Sequence, residues 1–277
     1  MVDDGSRDET AQIVRSVKDQ RVTYVYQENA GQGKARNIAL ARCRGEYVSL
    51  LDSDDYYHPQ KIERQIEFLS KNPRYKIVYC NALHVYQKSD GLFYKKRTRH
   101  RSGLILSELL TSSYINPNTV LIAREVFDEC GGFVEERYYP EEWELWLRMA
   151  LAGFEFGYLD EDLVTVEIRD HSNTSMEIQP ILKRNAISMF ERLLPNAIEV
   201  RGERYSAKRA VRILKMKLAL ACLANGQRRE CIRAVGEAMG QRSLGYLIGA
   251  PLALTPRAIV KRLWRVNQLR NSVSVGG

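Results

Sequence analysis

The sequence predicts an α/β chain that ends in an α-helical region, on three observations. Short runs rich in Val, Ile and Tyr alternate with amphipathic segments through the first half, the pattern of β-α units in a parallel sheet. After Ser175 the pattern is helical throughout. Charge divides in the same way: from Arg201 onward 16 Lys and Arg stand against three acidic residues, while the first 200 residues hold 26 basic and 31 acidic. A boundary between Asn173 and Pro195 follows, giving one unit over residues 1–175 and a basic helical region over 176–277.

Each element has its own signal. Val2-Asp3-Asp4-Gly5-Ser6 reads as a strand end followed at once by a turn. Ser6 and Glu9 have capping-box spacing, which predicts a helix from Arg7 to about Asp19. Val22–Gln27 is a short strand, Asn29–Gly33 a Gly-containing loop, and Lys34–Arg42 a helix. Glu46–Leu51 is an apolar run of strand length that ends in Asp52-Ser53-Asp54-Asp55. Pro59 suits the first turn of the next helix, whose Ile62, Ile66 and Leu69 fall on one face. Lys76–Tyr86 is a strand, Gly91–Arg101 a basic hairpin or loop, and Thr119–Ala123 a strand. Cys130-Gly131-Gly132-Phe133 is a turn, and Glu141–Ala152 a helix stopped by Gly153. Val164–Arg169 is the last strand. Helices are expected near Ile178–Leu194, Ser206–Ala224, Arg228–Met239 and Arg257–Gln268.

Composition narrows the class. In 277 residues, 44% hydrophobic and 27% charged is ordinary globular usage, which excludes wholesale disorder, collagen and coiled coil. No apolar run reaches the 18 or so residues of a spanning helix; Leu244–Leu254 is short and broken by Gly249 and Pro251. Asp3 and Asp4 stand where a signal peptide would be basic and then apolar. Five cysteines without a C-x-x-C pair favour neither a disulfide framework nor a zinc site, and fit a reducing, cytoplasmic setting.

The sharpest chemical feature is Leu51-Asp52-Ser53-Asp54-Asp55, where an apolar strand delivers three carboxylates to its C-terminal end. Ligands of open α/β sheets bind outside the carboxyl ends of strands. Clustered carboxylates persist best beside a cation, and Mg²⁺ or Mn²⁺ takes oxygen ligands that it shares with substrate phosphates. Asp and Ser are also ordinary turn residues. Glu141 and Glu142 open the helix bearing Trp143 and Trp146, where carboxylates are favourable without any catalytic role. Asp3 and Asp4 serve equally as turn-formers, and His171 is one of four histidines.

Taken in order, these pieces resemble glycosyltransferase family 2. Val2-Asp3-Asp4-Gly5-Ser6, Asn29-Ala30-Gly31, Ala35-Arg36-Asn37, and Gly45-Glu46-Tyr47 leading to the Asp52–Asp55 run are similar to its nucleotide-sugar half. Cys130-Gly131-Gly132-Phe133, Glu141-Glu142-Trp143-Glu144-Leu145-Trp146-Leu147-Arg148, and Arg169-Asp170-His171 with Asn173 and Ser175 resemble its acceptor half. The resemblance implies a GT-A fold and inverting, metal-dependent transfer of a sugar from a nucleoside-diphosphate sugar. It places Asp4 at the nucleobase, Lys34 and Arg36 near the nucleotide, and His171 near the diphosphate or metal. Asp52 and Asp54 match the ends of the D-x-D motif. Asp54 is the better direct metal ligand, and Asp55 a further candidate. Glu142 falls on the residue that deprotonates the acceptor hydroxyl, with Glu141 beside it as the alternative base. Family members have Asp there; the added methylene moves the carboxylate by roughly a bond length, a shift to which rates are sensitive.

The family's processive synthases carry Q-x-x-R-W and several membrane spans, neither of which is seen here, so transfer of a single sugar is expected. The acceptor is expected to be a glycan, a lipid-linked precursor or another hydroxyl compound of surface polysaccharide synthesis. Family members also have a strand, a loop and a helix upstream of the V-D-D-G-S segment. Starting at Met1 therefore reads as a fragment or mis-assigned start of a longer protein. The competing expectation is a non-catalytic truncated homologue that serves as a binding or scaffold subunit. The basic tail, with Ile259, Leu263, Trp264 and Val266 among Arg257, Lys261, Arg262 and Arg265, has the composition of an interfacial membrane element. It predicts peripheral contact with the inner face of the membrane, although such residues can equally pack onto the body. Nucleic acid is an improbable partner, because the tail has no recognised binding motif and few aromatics.

Overall fold

A computed structural model describes residues 1–86, 100–168 and 177–239. The parallel pair β1 (Val2–Asp4) and β2 (Val25–Gln27) is joined through α1 (Thr10–Ser16). There follow α2 (Gln32–Leu40), β3 (Tyr47–Ser49), β4 (Tyr56–Tyr57), α3 (Lys61–Lys71), β5 (Ile77–Tyr86) and the short α4 (Leu106–Leu109). A 3₁₀ turn at Pro117–Thr119 leads into β6 (Val120–Ala123), α5 (Glu125–Cys130), α6 (Glu141–Leu151) and β7 (Phe156–Ile168). The last part holds α7 (Gln179–Leu193), a hairpin of β8 (Ile198–Val200) and β9 (Glu203–Tyr205), α8 (Lys208–Ala224) and α9 (Arg228–Met239).

Five strands form one sheet in the order β3-β6-β5-β7-β4. The expectation of a parallel sheet is corrected here. Only β5 and β7 run parallel in it, while β3/β6, β5/β6 and β4/β7 are antiparallel. Alternation of strands and helices reveals crossovers but not the direction in which a returning strand is inserted, and β6 enters reversed between β3 and β5.

Three local expectations also change. Ser6 does not cap α1: its N–H donates to Asp3 Oδ1 at 2.8 Å, and the helix starts only at Thr10. There the Asp8 carboxylate accepts from the Thr10 N–H at 3.1 Å and hydroxyl at 2.6 Å. On α3, Ile62 and Ile66 are 37% and 39% exposed, and the buried positions are Lys61, Gln65 and Leu69. β7 begins at Phe156, well before Val164, because a shift in its pairing with β5 around Asn81 carries the acidic stretch 160–162 through the sheet.

One apolar core runs from Val48 and Ile77 through Trp146 and Phe156 to Phe190, Leu214 and Val235. The helices α7–α9 thus pack on the same core as the sheet. Trp143 on α6 meets Phe190 on α7 edge-on, with ring centroids 5.2 Å apart, an arrangement favoured by the ring quadrupoles. By contrast, α1 buries none of its residues. All five cysteines are free thiols. Among the described residues no helix is long and apolar enough to cross a membrane. Nearly all of the Gly91–Arg101 segment, the Arg169–Ser175 segment with His171, and the tail with Leu244–Leu254 and the helix expected at Arg257–Gln268 lie outside the described residues.

Candidate active site

The site is organised by α2. Gly33 lets this helix approach the chain after the Cys130–Phe133 turn: a Cβ there would sit 2.0 Å from the Val134 carbonyl oxygen. Asn37 clamps that turn from both sides. Its amide donates to the Phe133 carbonyl at 2.8 Å, and its Oδ1 accepts from the Phe133 N–H at 2.7 Å. Gly132 is required by this contact, since a Cβ would meet Asn37 Oδ1 at 2.4 Å. From α6, Arg148 donates to the carbonyls of Cys130 and Gly132 and pairs with Glu144 at 2.8 Å.

Between these contacts Arg36 projects into a carboxylate cluster. Its guanidinium pairs with Glu142 at 2.8 Å, Asp52 at 3.1 Å and Glu141 at 3.3 Å, and lies 5.6 Å from the centre of the Phe133 ring. Burial opposes its charge, but Glu142, Asp52 and Glu141 outweigh that and raise its pKa further. One buried cation therefore ties the end of β3 to the start of α6, which lie far apart in the chain.

The strand-end turn is held from beneath. Asp52 N–H donates to Asn118 Oδ1 at 2.8 Å, and the Asn118 amide donates to the carboxylates of Asp52 and Asp55. The other Asp55 oxygen accepts from the Glu167 N–H at 3.0 Å. Burial, with smaller contributions from Asp54 and Asp52, pushes the Asp55 carboxyl up. Asp54 is exposed. Among the described residues no group of three or more His, Cys, Asp or Glu side chains is arranged to hold a metal. The donor set of Asp52 and Asp54 still fits a partial shell, because hard cations of the Mg²⁺ kind take one or two carboxylates and complete the shell with water and phosphate oxygens.

Helix α6 presents the other pair. Glu141 is buried, with its side chain 9% exposed, whereas Glu142 is 25% exposed. Burial first, then the charge of Glu142, pushes the Glu141 carboxyl up to about 7, against the pull of Arg36. Just upstream, Tyr138 is half exposed in the left-handed region (φ 56°), and its carbonyl accepts from the Asn185 amide on α7 at 3.0 Å.

Asp4 lies on the neighbouring strand pair. It accepts from the N–H groups of Ala30 at 2.7 Å and Gly31 at 2.9 Å and from the Gln27 amide at 2.5 Å. Burial alone would raise its carboxyl; these hydrogen bonds outweigh it and hold the pKa low. Asp4 thereby fixes the loop that launches α2, on which Lys34 is exposed. Sequence reasoning missed Asn118 altogether and saw Asn37 and Arg148 only as motif members. The Asn116-Pro117-Asn118 run was an available turn signal for the first.

Residues 1–131 match the model of a family described as Glycosyl transferase family 2. A Rickettsia typhi protein named as an uncharacterized glycosyltransferase is 33% identical over 193 residues, 68% of this chain and 59% of its own length. Residues 1–131 belong to glycosyl transferase family 2. A Rickettsia prowazekii relative of the same description is 37% identical over 153 residues, 53% of this chain and 48% of its own length. The chain thus spans about half to three-fifths of these relatives. A Bacillus subtilis protein, the putative teichuronic acid biosynthesis glycosyltransferase TuaG, is 34% identical over 128 residues, 45% of this chain and 50% of its own. Among solved structures, residues 1–349 of Staphylococcus aureus TarS with UDP-GlcNAc superpose with a TM-score of 0.66 at 18% identity, covering 96% of this chain and 82% of that one. The mannosyltransferase PcManGT of Pyrobaculum calidifontis with GDP-Man and Mn²⁺ gives 0.57 at 18%, covering 97% and 73%. The fold of this chain is therefore the GT-A fold with a helical C-terminal region.

Proposed function

We propose that this chain transfers a single sugar, with inversion and with a divalent cation, from a nucleoside-diphosphate sugar to a hydroxyl acceptor. The observation that carries the reading is Arg36, whose three ion pairs hold the strand-end Asp52 and the helix-end Glu141 and Glu142 in one cluster. Two carboxylate sets on opposite sides of a fixed cation are what one displacement needs, one beside the leaving group and one beside the nucleophile.

The residues divide the work accordingly. Asp52 and Asp54 would hold Mg²⁺ or Mn²⁺, which supplies charge stabilisation to a departing diphosphate. Asp4 and Lys34, at the loop and first turns of α2, are suited to the nucleobase and the phosphates. Glu142, the more exposed of the helix-end pair, accepts the acceptor's proton as the new bond forms. Glu141 is the neighbouring alternative. Inversion then needs one base and no covalent intermediate.

The TuaG likeness supports a part in surface polysaccharide synthesis, and the proposal extends to a glycan or lipid-linked acceptor met on the cytoplasmic side of the membrane. The test is calorimetry of the chain with UDP- and GDP-sugars, with and without Mn²⁺, followed by transfer assays on the binding donor. Cation-dependent donor binding with release of the nucleoside diphosphate is expected. Donor binding without transfer to any hydroxyl acceptor would favour a binding subunit instead.

A further inference from the structure

Lys61 is fully buried on α3 and has no ion pair with an acid among the described residues. Its Nζ donates to Ser49 Oγ at 2.7 Å and to the Val120 carbonyl at 3.3 Å, and lies 4.0 Å from the centre of the Tyr57 ring. Ser49 is the last residue of β3, and Tyr57 the last of β4. Between them runs the turn that carries Asp52, Asp54 and Asp55. The same cluster closes the neck of that turn. Ser49 Oγ and the Tyr57 hydroxyl are 2.9 Å apart, Ser49 also contacts the Val120 carbonyl at 2.6 Å, and the Tyr57 hydroxyl reaches the Leu50 carbonyl. Gln65, one turn along α3, donates to the Thr119 carbonyl at 2.7 Å, beside Asn118.

A buried ammonium with only neutral partners is costly. Methionine, with an unbranched stem of similar length, would fill the same space without that penalty. Packing alone therefore does not account for the charge. What the ammonium adds is direction, because it donates to β3 and to the neighbouring β6 on one side and faces the Tyr57 ring of β4 on the far side of the turn. Its pKa falls to about 8 by burial, against a small opposing effect of the Cys80 thiol.

We propose that Lys61 is a positioning residue, pinning the neck of the Ser49–Tyr57 turn so that Asp52 and Asp54 are presented in one fixed geometry. It touches neither substrate nor cation, and its link to donor binding rests on the function proposed above.

Two readouts separate the clamp from that function. In Lys61→Met, amide hydrogen exchange across residues 50–57 should rise at least tenfold while β5 and α6 stay protected. Ser49→Ala should loosen the same segment, and Lys61→Arg should partly restore protection. With a donor, Lys61→Met should raise KM, or weaken Mn²⁺-dependent binding of a nucleoside diphosphate, by more than it lowers kcat. Unchanged exchange at residues 50–57 in both Lys61→Met and Ser49→Ala would overturn the proposal, whatever the enzyme does. So would loosening spread evenly over the sheet, the mark of ordinary packing loss. Local loosening in a protein whose wild type binds no nucleotide would uphold the clamp and refute the function.

Discussion

The two acidic clusters that share Arg36 meet water differently. At the end of β3, Asp54 is exposed and Asp52 is 34% exposed. Their turn is anchored by backbone and amide groups, not by burial of the acids themselves. At the start of α6, Glu141 is buried and its carboxyl is pushed up to about 7, while Glu142 reaches partly into solvent. An open, hydrogen-bonded set of carboxylates suits a cation that arrives with its substrate. A partly exposed carboxylate at a helix start suits proton transfer because it can meet an incoming hydroxyl, and the buried Glu141 beside it titrates near the operating pH at which a base works best. The same residue type is thus given two chemistries by the elements that carry it.

Exchanging one side of the comparison should give the largest effect. Glu142→Gln should lower kcat by about 10²–10⁴, the usual scale of general acid–base catalysis, with donor binding little changed because a base acts in the transition state. Steady-state kinetics with calorimetry checks both halves. Activity within tenfold of wild type would transfer the role to Glu141.

On the other side, Asp54→Asn should weaken Mn²⁺-dependent donor binding at least tenfold, the scale of disturbing a metal's partners. The melting temperature should stay level, since the side chain is exposed. Calorimetry with and without Mn²⁺ reads this directly. Equal affinity in the mutant would remove Asp54 from the cation site and erase the contrast.

Much of this arrangement was legible in the sequence, for identifiable reasons. The strand-end and helix-opening acids were visible because each set sits at an element terminus marked by local composition, whereas Arg36, in the middle of α2, was seen only through the family resemblance. Their convergence was not visible, because an Arg36–Glu142 contact spans over a hundred residues and depends on Gly33 and Gly132 allowing close approach. The reversed β6 was hidden because alternation carries no strand direction. Lys61 was missed for a sharper reason: of the apolar set Ile62, Ile66 and Leu69 only Leu69 is buried, while both isoleucines face the solvent side of α3, and a lysine one position before Ile62 reads as surface. Hydrophobic pattern names the buried face only where the face is apolar.

The contrast in burial can be sharpened through pH. The Glu141 carboxyl titrates near 7 in the fold, against 4.5 when unconstrained. The folded state therefore favours its protonated form. The stability that this lends is complete below 4.5 and is lost as pH rises through 7. Glu141→Gln, neutral throughout, should melt close to wild type at pH 5 and above it at pH 8. The gain should be a few degrees, at about 2–4 °C per kcal/mol for a chain of this size. A difference in melting temperature that does not grow with pH would place the charge of Glu141 elsewhere.

The smallest effect concerns the third acid of the strand-end turn. Asp55 shares its motif with Asp52 and Asp54, yet both of its oxygens are engaged inside the protein, by the Asn118 amide and the Glu167 N–H. Asp55→Asn keeps an oxygen for Glu167 but sets an NH₂ group against the NH₂ of Asn118. One hydrogen bond is lost and two donors face each other, a cost of about 1–3 kcal/mol in stability. On the reading that Asp52 and Asp54 hold the cation, Mn²⁺-dependent donor affinity should stay within about twofold, below the tenfold threshold of a disturbed metal partner. Chemical denaturation and calorimetry on the same preparation test the two halves together. A tenfold loss of cation-dependent binding with unchanged stability would make Asp55 a ligand after all, and the open cluster would have three members.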